Sequence, residues 1–252
     1  MSSPADLLLL FGAGILAGIV SVVASLASLV SYPALLALGL PPVSANVTNT
    51  VALMFTGLGA TIGSRPELAG QGRRVLRLGL VTAVGGGVGA ALLLLTPASG
   101  FEYAAPVLIA AGSATILRPP VPATLTAPEV SREHGWLPRI ALFTVAVYVG
   151  YFGAAGGILL LAVLIRLLQQ SLARTNAVKN AISGLANGVA GLGFAIFGPV
   201  RWVAVLPLAA GFLIGGWTGP KIVRRLPSRL LRIFVGCCGL GLAAWLGART
   251  YL

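Results

Sequence analysis

The sequence predicts an all-α integral membrane protein with two inverted-topology repeats, each a broken-helix hairpin followed by three transmembrane helices. Three observations support this fold class. The 252 residues are 57% hydrophobic and 9% charged, with a mean hydropathy of +0.97, which leaves too little polar surface for a soluble globule. Apolar runs alternate with short basic clusters. Two of the apolar runs are also too long for a single membrane crossing.

Six apolar runs have about the length of an ordinary spanning helix, which needs about 20 apolar residues. They lie near residues 46–64, 75–95, 103–117, 177–197, 202–220 and 230–245. Two further stretches, 7–40 and 137–165, are longer. A straight helix through the second would measure roughly 43 Å, against a hydrocarbon core of about 30 Å. We therefore expect each long stretch to break and return.

Small and polar residues mark the expected breaks. Gly153, Gly156 and Gly157 give the second stretch the permissive backbone that a reversal needs. In the first stretch, serines accumulate between Ser21 and Pro33, and serine hydroxyls can bond the backbone groups that a broken helix leaves open. Each long stretch opens one half of the chain. The predicted repeats are residues 1–117 and 138–252, separated by a proline-rich cytoplasmic linker at 118–137.

The basic residues favour opposite orientations for the two halves. If residues 137–165 crossed once, the basic groups at 166–179 and 221–232 would lie opposite the cluster at 65–77. If that stretch returns, fifteen of the seventeen Lys and Arg residues share one face, and only Arg201 and Arg249 lie outside. The sequence therefore predicts a multi-pass membrane protein with both termini outside and an inverted repeat.

Polar residues inside the predicted spans are candidates for a binding site, because an unpartnered polar group in hydrocarbon is costly. They follow the hairpin at corresponding places in both halves, and the hairpin turns add serine and glycine. The substrate-binding candidates are Ser25, Ser28, Asn46, Thr48, Asn49, Gly153, Gly156, Gly157, Asn176, Lys179, Asn180, Ser183 and Asn187. Spacings of four, three and four residues place the amides and serine between Asn176 and Asn187 on one helical face.

Lys179 is the sharpest candidate, because it shares a segment with these amides and brings a full positive charge. Half-helix N-termini carry free N–H groups and partial positive charge, which also suits an anion. Other interpretations stay open at this point. Asn46 or Thr175 could be helix N-caps, the Asn and Ser side chains could join packed helices, and Lys179 could extend to the cytoplasmic surface.

The positions of the acidic residues and of the histidine argue against a proton-coupled transporter and against an enzyme. The five carboxylates fall at ends, in loops or in the linker, and so does the single histidine, His134, so we expect neither a proton-carrying intramembrane acid nor an enzyme. We expect no cofactor and no metal site, and we interpret Cys237 and Cys238 as small packing residues. The expected partners are a small anionic substrate and the lipid bilayer, without nucleic acid. The oligomeric state stays open.

These segments resemble the TauE/SafE family of bacterial membrane proteins, commonly described as exporters of sulfite and organosulfonates. The likeness covers nearly the whole chain. It rests on Ala17-Gly18 onward, residues 150–157, Tyr32-Pro33-Ala34-Leu35 to Gly39-Leu40-Pro41, Ala45-Asn46-Val47-Thr48-Asn49 and Thr175-Asn176-Ala177-Val178-Lys179-Asn180. The family usually carries a Gly-x-Gly-Gly-Gly-like turn in the first hairpin. This chain departs from that pattern with Ser25-Leu26-Ala27-Ser28.

The resemblance implies export of a small sulfur-containing anion, of the sulfite or organosulfonate class, by alternating access. An inside-negative potential favours anion efflux by about 2.3 kcal/mol per charge per 100 mV, so a potential-driven uniporter would need no proton-carrying carboxylate. Import of a sulfur compound such as thiosulfate is one alternative, and a membrane scaffold subunit that transports nothing is another. The sequence leaves the anion, the direction of transport and any coupling ion open.

Overall fold

The computed structural model describes residues 3–117, 135–153, 156–168, 170–223 and 228–251, and this part of the chain is helical with no strand. Its helices are α1 (Pro4–Ala24), α2 (Ser28–Ala37), α3 (Pro42–Gly63), α4 (Arg65–Leu68), α5 (Gly72–Leu95), α6 (Ala98–Leu117), α7 (Trp136–Tyr151), α8 (Gly156–Leu167), α9 (Leu172–Phe197), α10 (Trp202–Val223) and α11 (Ser228–Tyr251). The predicted all-α class is confirmed. Each of the six predicted spans falls on one helix: α3, α5, α6, α9, α10 or α11.

Several of these helices have the length and composition of membrane spans. Among the described residues, four qualify by both criteria: Pro4–Val22, Gly72–Leu95, Leu172–Phe197 and Trp202–Lys221. Shorter apolar helices form the hairpins, and large apolar side chains such as Leu95 and Phe197 are exposed on the outer surface. An exterior of this kind is suited to lipid and not to water. The chain is an integral membrane protein, as its composition predicted.

Both long stretches break within the predicted segments. The first turns between α1 and α2, where Ser25 has a φ of 62°, and the second turns between α7 and α8, where Gly153 has a φ of 75°. Pro33 does not make the first break, because it lies inside α2. The arms also differ in length. Helix α1 has 21 residues, enough for a full crossing, whereas α2 has ten, and α7 and α8 have 16 and 12.

Some assignments made from the sequence fall outside the described residues. Most of the linker, residues 118–134 with His134, is among them, and α7 begins at Trp136, just after it. The side chain of Cys238 is not described either. Cys237 is exposed on α11, so its side chain faces outward and is not packed inside the helix bundle, contrary to our interpretation from the sequence.

The helices pack in pairs that recur between the two halves of the chain. Helix α1 packs on α10 and α7 packs on α5, while α10 packs on α3 and α5 packs on α9. Two further pairs, α3 with α9 and α6 with α11, join helices at matching positions. In chain order, α1, α2, α3, α5 and α6 of the first half correspond to α7, α8, α9, α10 and α11 of the second. Under this correspondence, the pair α1–α10 matches α7–α5 and the pair α10–α3 matches α5–α9. The pairs α3–α9 and α6–α11 each match themselves. Helices of one half therefore pack largely on helices of the other.

Small residues allow these pairs to approach at backbone distance. A Cβ added to Gly18 on α1 would lie 2.9 Å from the Cα of Gly215 on α10. A Cβ added to Gly150 on α7 would overlap the backbone carbonyl of Gly86 on α5. Close backbone packing of this kind is a main source of helix association in a membrane. Apolar side chains gain little free energy there when they exchange lipid contacts for protein contacts. Helix packing therefore accounts for much of the glycine in the spans.

Substitution of Gly150 tests these contacts. We expect Gly150→Ala to destabilise the protein by about 1–3 kcal/mol, because the new methyl group meets a backbone atom that cannot yield without moving α5. Gly188→Ala on α9 is the matched control, since no atom lies within 4 Å of its added Cβ. Alanine there should leave stability unchanged or raise it by up to about 1 kcal/mol. Thermal unfolding in detergent measures both, and equal melting temperatures would contradict the packing role.

Candidate functional site

A cavity of about 40 Å³ lies where the two hairpin turns meet α3 and α9. Eight of the residues predicted from the sequence line it: Ser25, Ser28, Gly153, Gly157, Lys179, Asn180, Ser183 and Asn187. Gly57 of α3 and Gly184 of α9 also line the cavity, and their backbones are in contact where the two helices cross. The wall therefore contains residues from both halves of the chain.

The tips of the two hairpins touch at this cavity. A Cβ added to Gly157 would lie 2.7 Å from the Cβ of Ser25, and one added to Gly153 would lie 3.9 Å from the Oγ of Ser28. A side chain at Gly157 would therefore separate the two turns. Small residues at the second hairpin keep the first hairpin within contact distance, and they leave the polar groups of Ser25 and Ser28 at the cavity wall.

Lys179 links α9 to the first hairpin. Its Nζ donates to the Oγ of Ser25 at 2.6 Å and to the carbonyl oxygen of Ser21 at 3.5 Å, and the residue is only 2% exposed. Lys179 therefore does not extend to the membrane surface, which excludes that alternative. The ammonium group lies at the C-terminal end of α1, where the partial negative charge of the helix stabilises a cation.

Ser25 holds an unusual backbone conformation at this contact. Its φ of 62° and ψ of 37° lie in the left-handed region, and it is the single non-glycine residue with positive φ among the described residues. A residue with a Cβ pays roughly 1–2 kcal/mol for this conformation, which glycine avoids. The hydroxyl of Ser25 is the acceptor for Lys179, so the side chain that strains the turn also positions the buried cation.

Two predicted residues brace the hairpins across the halves and do not line the cavity. Asn46 Nδ2 donates to the carbonyl oxygen of Tyr151 at 3.0 Å, at the end of α7. Asn176 Nδ2 donates to the carbonyl oxygen of Val22 at 3.0 Å, near the end of α1. Each asparagine therefore satisfies a carbonyl that a helix terminus leaves open, in the opposite half of the chain. Neither residue is a lining group of the cavity.

The N-cap alternative for these segments is wrong. Helix α3 begins at Pro42 with Pro41 in the cap position, so Asn46 lies one turn inside the helix. Helix α9 has Ser171 as its N-cap, and the hydroxyl of Thr175 donates to the Ser171 carbonyl oxygen at 3.1 Å. Both segments are thus regular helix at the residues that the sequence singled out.

The other predicted residues outside the cavity wall join neighbouring helices. Asn49 accepts a hydrogen bond from Ser31 Oγ at 2.6 Å and donates to Ser28 Oγ at 3.3 Å, which ties α3 to α2. Thr48 Oγ1 accepts from the backbone N–H of Arg201 at 3.0 Å, just before α10. Gly156 packs on α7, since a Cβ there would lie 2.5 Å from the side chain of Val149.

Two polar lining residues were not among the sequence candidates. Ser21 lines the cavity beside Lys179, and Thr56 lines it from α3. A signal for Thr56 was present, because Asn49, Leu53, Thr56 and Ala60 repeat the four-three-four spacing seen on α9. Leu53 and Ala60 are apolar, so these four positions do not stand out as a polar helical face.

The cavity is electropositive. Among the residues that the structure describes, Lys179 is the one charged residue in the wall, and no described carboxylate lines the cavity. The three carboxylates that the structure describes lie elsewhere, with Asp6 in the first turn of α1, Glu67 in α4 and Glu102 on α6. A buried cation that bonds only to neutral oxygens among the described residues favours a negatively charged ligand.

A multi-pass helical membrane protein with a polar cavity between its halves has the general architecture of a membrane transporter. Residues 10–246 match the family described as sulfite exporter TauE/SafE, and the chain belongs to this family. The resemblance noted from the sequence is confirmed.

Named relatives agree with this class. The chain is 28% identical over 236 residues to the probable membrane transporter protein YfcA of Escherichia coli K12, covering 92% of this chain and 86% of the relative. It is 27% identical over 239 residues to a probable membrane transporter protein of Haemophilus influenzae Rd, covering 91% and 90%. No solved structure matches the chain at a significant level. The protein is a multi-pass membrane transporter.

Substitutions at Ser25 separate its backbone strain from its hydrogen bond. Ser25→Ala and Ser25→Gly both remove the acceptor for Lys179, but alanine keeps the cost of the left-handed conformation. We therefore expect the alanine variant to be less stable than the glycine variant by about 1 kcal/mol, measured by chemical unfolding in detergent. An alanine variant as stable as the glycine variant would show that the turn is not strained.

Proposed function

We propose that the protein is a secondary transporter that exports a small sulfur-containing anion, of the sulfite or organosulfonate class, by alternating access. The observation that carries this proposal is the ammonium group of Lys179, buried in a cavity that both halves line. Withdrawing a charge from water is expensive, and a buried cation without a carboxylate partner is retained where a ligand completes its environment. Membership of a family described as sulfite exporters supports the choice of anion.

The proposed mechanism rests on two inverted repeats, residues 1–117 and 138–252, joined by a cytoplasmic linker at 118–137. The recurring helix pairs support a duplication, and so do the matching bonds that Asn46 and Asn176 make to the opposite half. The basic clusters support opposite orientations of the halves in the inner membrane, with both termini outside. In such an arrangement, rocking of one half against the other exposes a fixed site to each side in turn.

The transport step needs no proton-carrying carboxylate. The membrane potential alone drives a monovalent anion outward by about 2.3 kcal/mol per 100 mV. The family description favours export over import of a compound such as thiosulfate, although the same cavity would serve either direction. The buried lysine argues against a scaffold subunit, because a site used only for helix packing gains nothing from an unneutralised charge.

Replacement of Lys179 tests the anion site. We expect Lys179→Met to reduce sulfite efflux from proteoliposomes at least tenfold, because the one charged side chain in the described part of the cavity wall is lost. Methionine has a similar length, so the variant should fold as well as the wild type. Lys221→Met is the matched control, since Lys221 is exposed and lies over the ring of Trp217. Wild-type efflux in a well-folded Lys179→Met variant would refute the proposal.

Membrane potential tests the uniport mechanism. In proteoliposomes loaded with sulfite, a valinomycin-set potential, negative inside, should accelerate efflux, whereas the opposite polarity should slow it. The physical reason is that a net negative charge crosses the membrane in each cycle. Empty-vector liposomes under the same potentials control for leakage. An efflux rate that is indifferent to the potential would contradict uniport and favour exchange or electroneutral cotransport.

A further inference from the structure

Thr56 is a buried polar residue of the cavity wall. It lies on α3, lines the cavity and is 4% exposed. Its hydroxyl has no hydrogen-bond partner among the described residues. Buried polar groups are rarely left without a partner, so this hydroxyl requires an explanation.

Several other threonines of the described residues bond to a carbonyl of their own helix. In a helix, the threonine hydroxyl ordinarily donates to a carbonyl three or four residues earlier. Four threonines make such a bond to the carbonyl four residues before them: Thr50, Thr96, Thr175 and Thr218. Thr50 is on the same helix as Thr56 and is also buried. Thr56 thus lacks the bond that Thr50 makes on the same helix.

Packing fixes α3 at this residue. A Cβ added to Gly216 on α10 would lie 2.7 Å from the carbonyl oxygen of Thr56 and 3.3 Å from its Cα. The adjacent Gly57 contacts the backbone of Gly184 on α9. The backbone of α3 therefore has no freedom to turn Thr56 away from the cavity without separating three helices.

A second unpartnered donor lies in the same wall. Asn180 on α9 is 7% exposed, and its Nδ2 has no hydrogen-bond partner within the described part of the chain. Lys179 adds a third donor, because an ammonium group carries three N–H bonds and the contacts to Ser25 and Ser21 use two. Among the polar groups of this wall, Thr56, Asn180 and Lys179 thus each have a buried donor left unused, one residue from the first half of the chain and two from the second.

We propose that Thr56, Asn180 and Lys179 bind the substrate together, and that the substrate is a compact oxyanion whose separate oxygens reach donors on α3 and α9. This inference rests on the proposed function, and it adds Thr56 as a ligand that determines specificity. A bound oxyanion would join the two halves directly, since its oxygens accept from both. Several donors with one positive charge suit an oxyanion, which offers several acceptor oxygens.

The small volume of the cavity favours a small ligand. At roughly 10–15 Å³ for each water-sized group, 40 Å³ holds about three or four such groups. The sulfur and three oxygens of sulfite meet this limit. An organosulfonate such as 2-aminoethanesulfonate carries the same sulfonate group with a further chain, which exceeds it. The cavity therefore favours the inorganic oxyanion, because the chain of an organosulfonate would have to extend beyond it.

Calorimetric titration of sulfite into the full-length protein in detergent tests the role of Thr56. Thr56→Val removes the hydroxyl at constant shape and should weaken sulfite binding roughly 10- to 100-fold, the loss expected for one hydrogen bond to a charged group. Without ligand, its melting temperature should equal or exceed that of the wild type, because an unpartnered hydroxyl is removed. Thr50→Val is the matched control, and it should lower the melting temperature and leave sulfite affinity unchanged.

Two further variants complete the test. Thr56→Ser keeps the hydroxyl and should bind sulfite within about threefold of the wild type. If Thr56→Val binds sulfite like the wild type while Lys179→Met does not, the inference is overturned and the proposed function stands. Binding of 2-aminoethanesulfonate as tight as that of sulfite would overturn the size limit. A wild-type protein that binds no sulfite would overturn the inference, and one that binds neither sulfite nor 2-aminoethanesulfonate would also overturn the proposed function.

Discussion

The arrangement of the cavity depends on the contact between Lys179 and the first hairpin. An ammonium group placed in a low-dielectric interior must find oxygen partners, and here they come from the end of α1 and from the strained turn after it. That requirement fixes how closely α9 approaches the first hairpin. It also gives a reason for a serine at this position, where glycine would fit the backbone better. The charge, the turn and the cavity are parts of one arrangement.

The two halves are interlocked and are not simply placed side by side. Helix α1 of the first half packs on α10 of the second, and α7 of the second half packs on α5 of the first. Gly18 meets Gly215, and Gly150 meets Gly86, at distances that admit no side chain. In lipid, the burial of apolar side chains contributes little to the association of helices. Much of the association between the two halves therefore comes from this close backbone packing. A cavity at the centre of such a bundle is formed only when both halves are present.

The sequence was sufficient for the helical class, for the position of both hairpin breaks and for the polar face on α9, because each depends on local composition or spacing. It could not separate Asn176, which braces α1, from Asn180, which lines the cavity. Both are asparagines on one predicted face, and their roles are set by which neighbour lies opposite. Thr56 was missed for a related reason, since its importance comes from the bond that its hydroxyl does not make.

The bond between Asn176 and the carbonyl of Val22 also bears on how the chain enters the bilayer during synthesis. These residues are 154 positions apart, so the end of α1 waits for its partner until a large part of the second half has left the ribosome. The reverse bond, from Asn46 to Tyr151, has its donor ready when α7 emerges. The contact between the first hairpin and α9 therefore forms only after both hairpins have been synthesised.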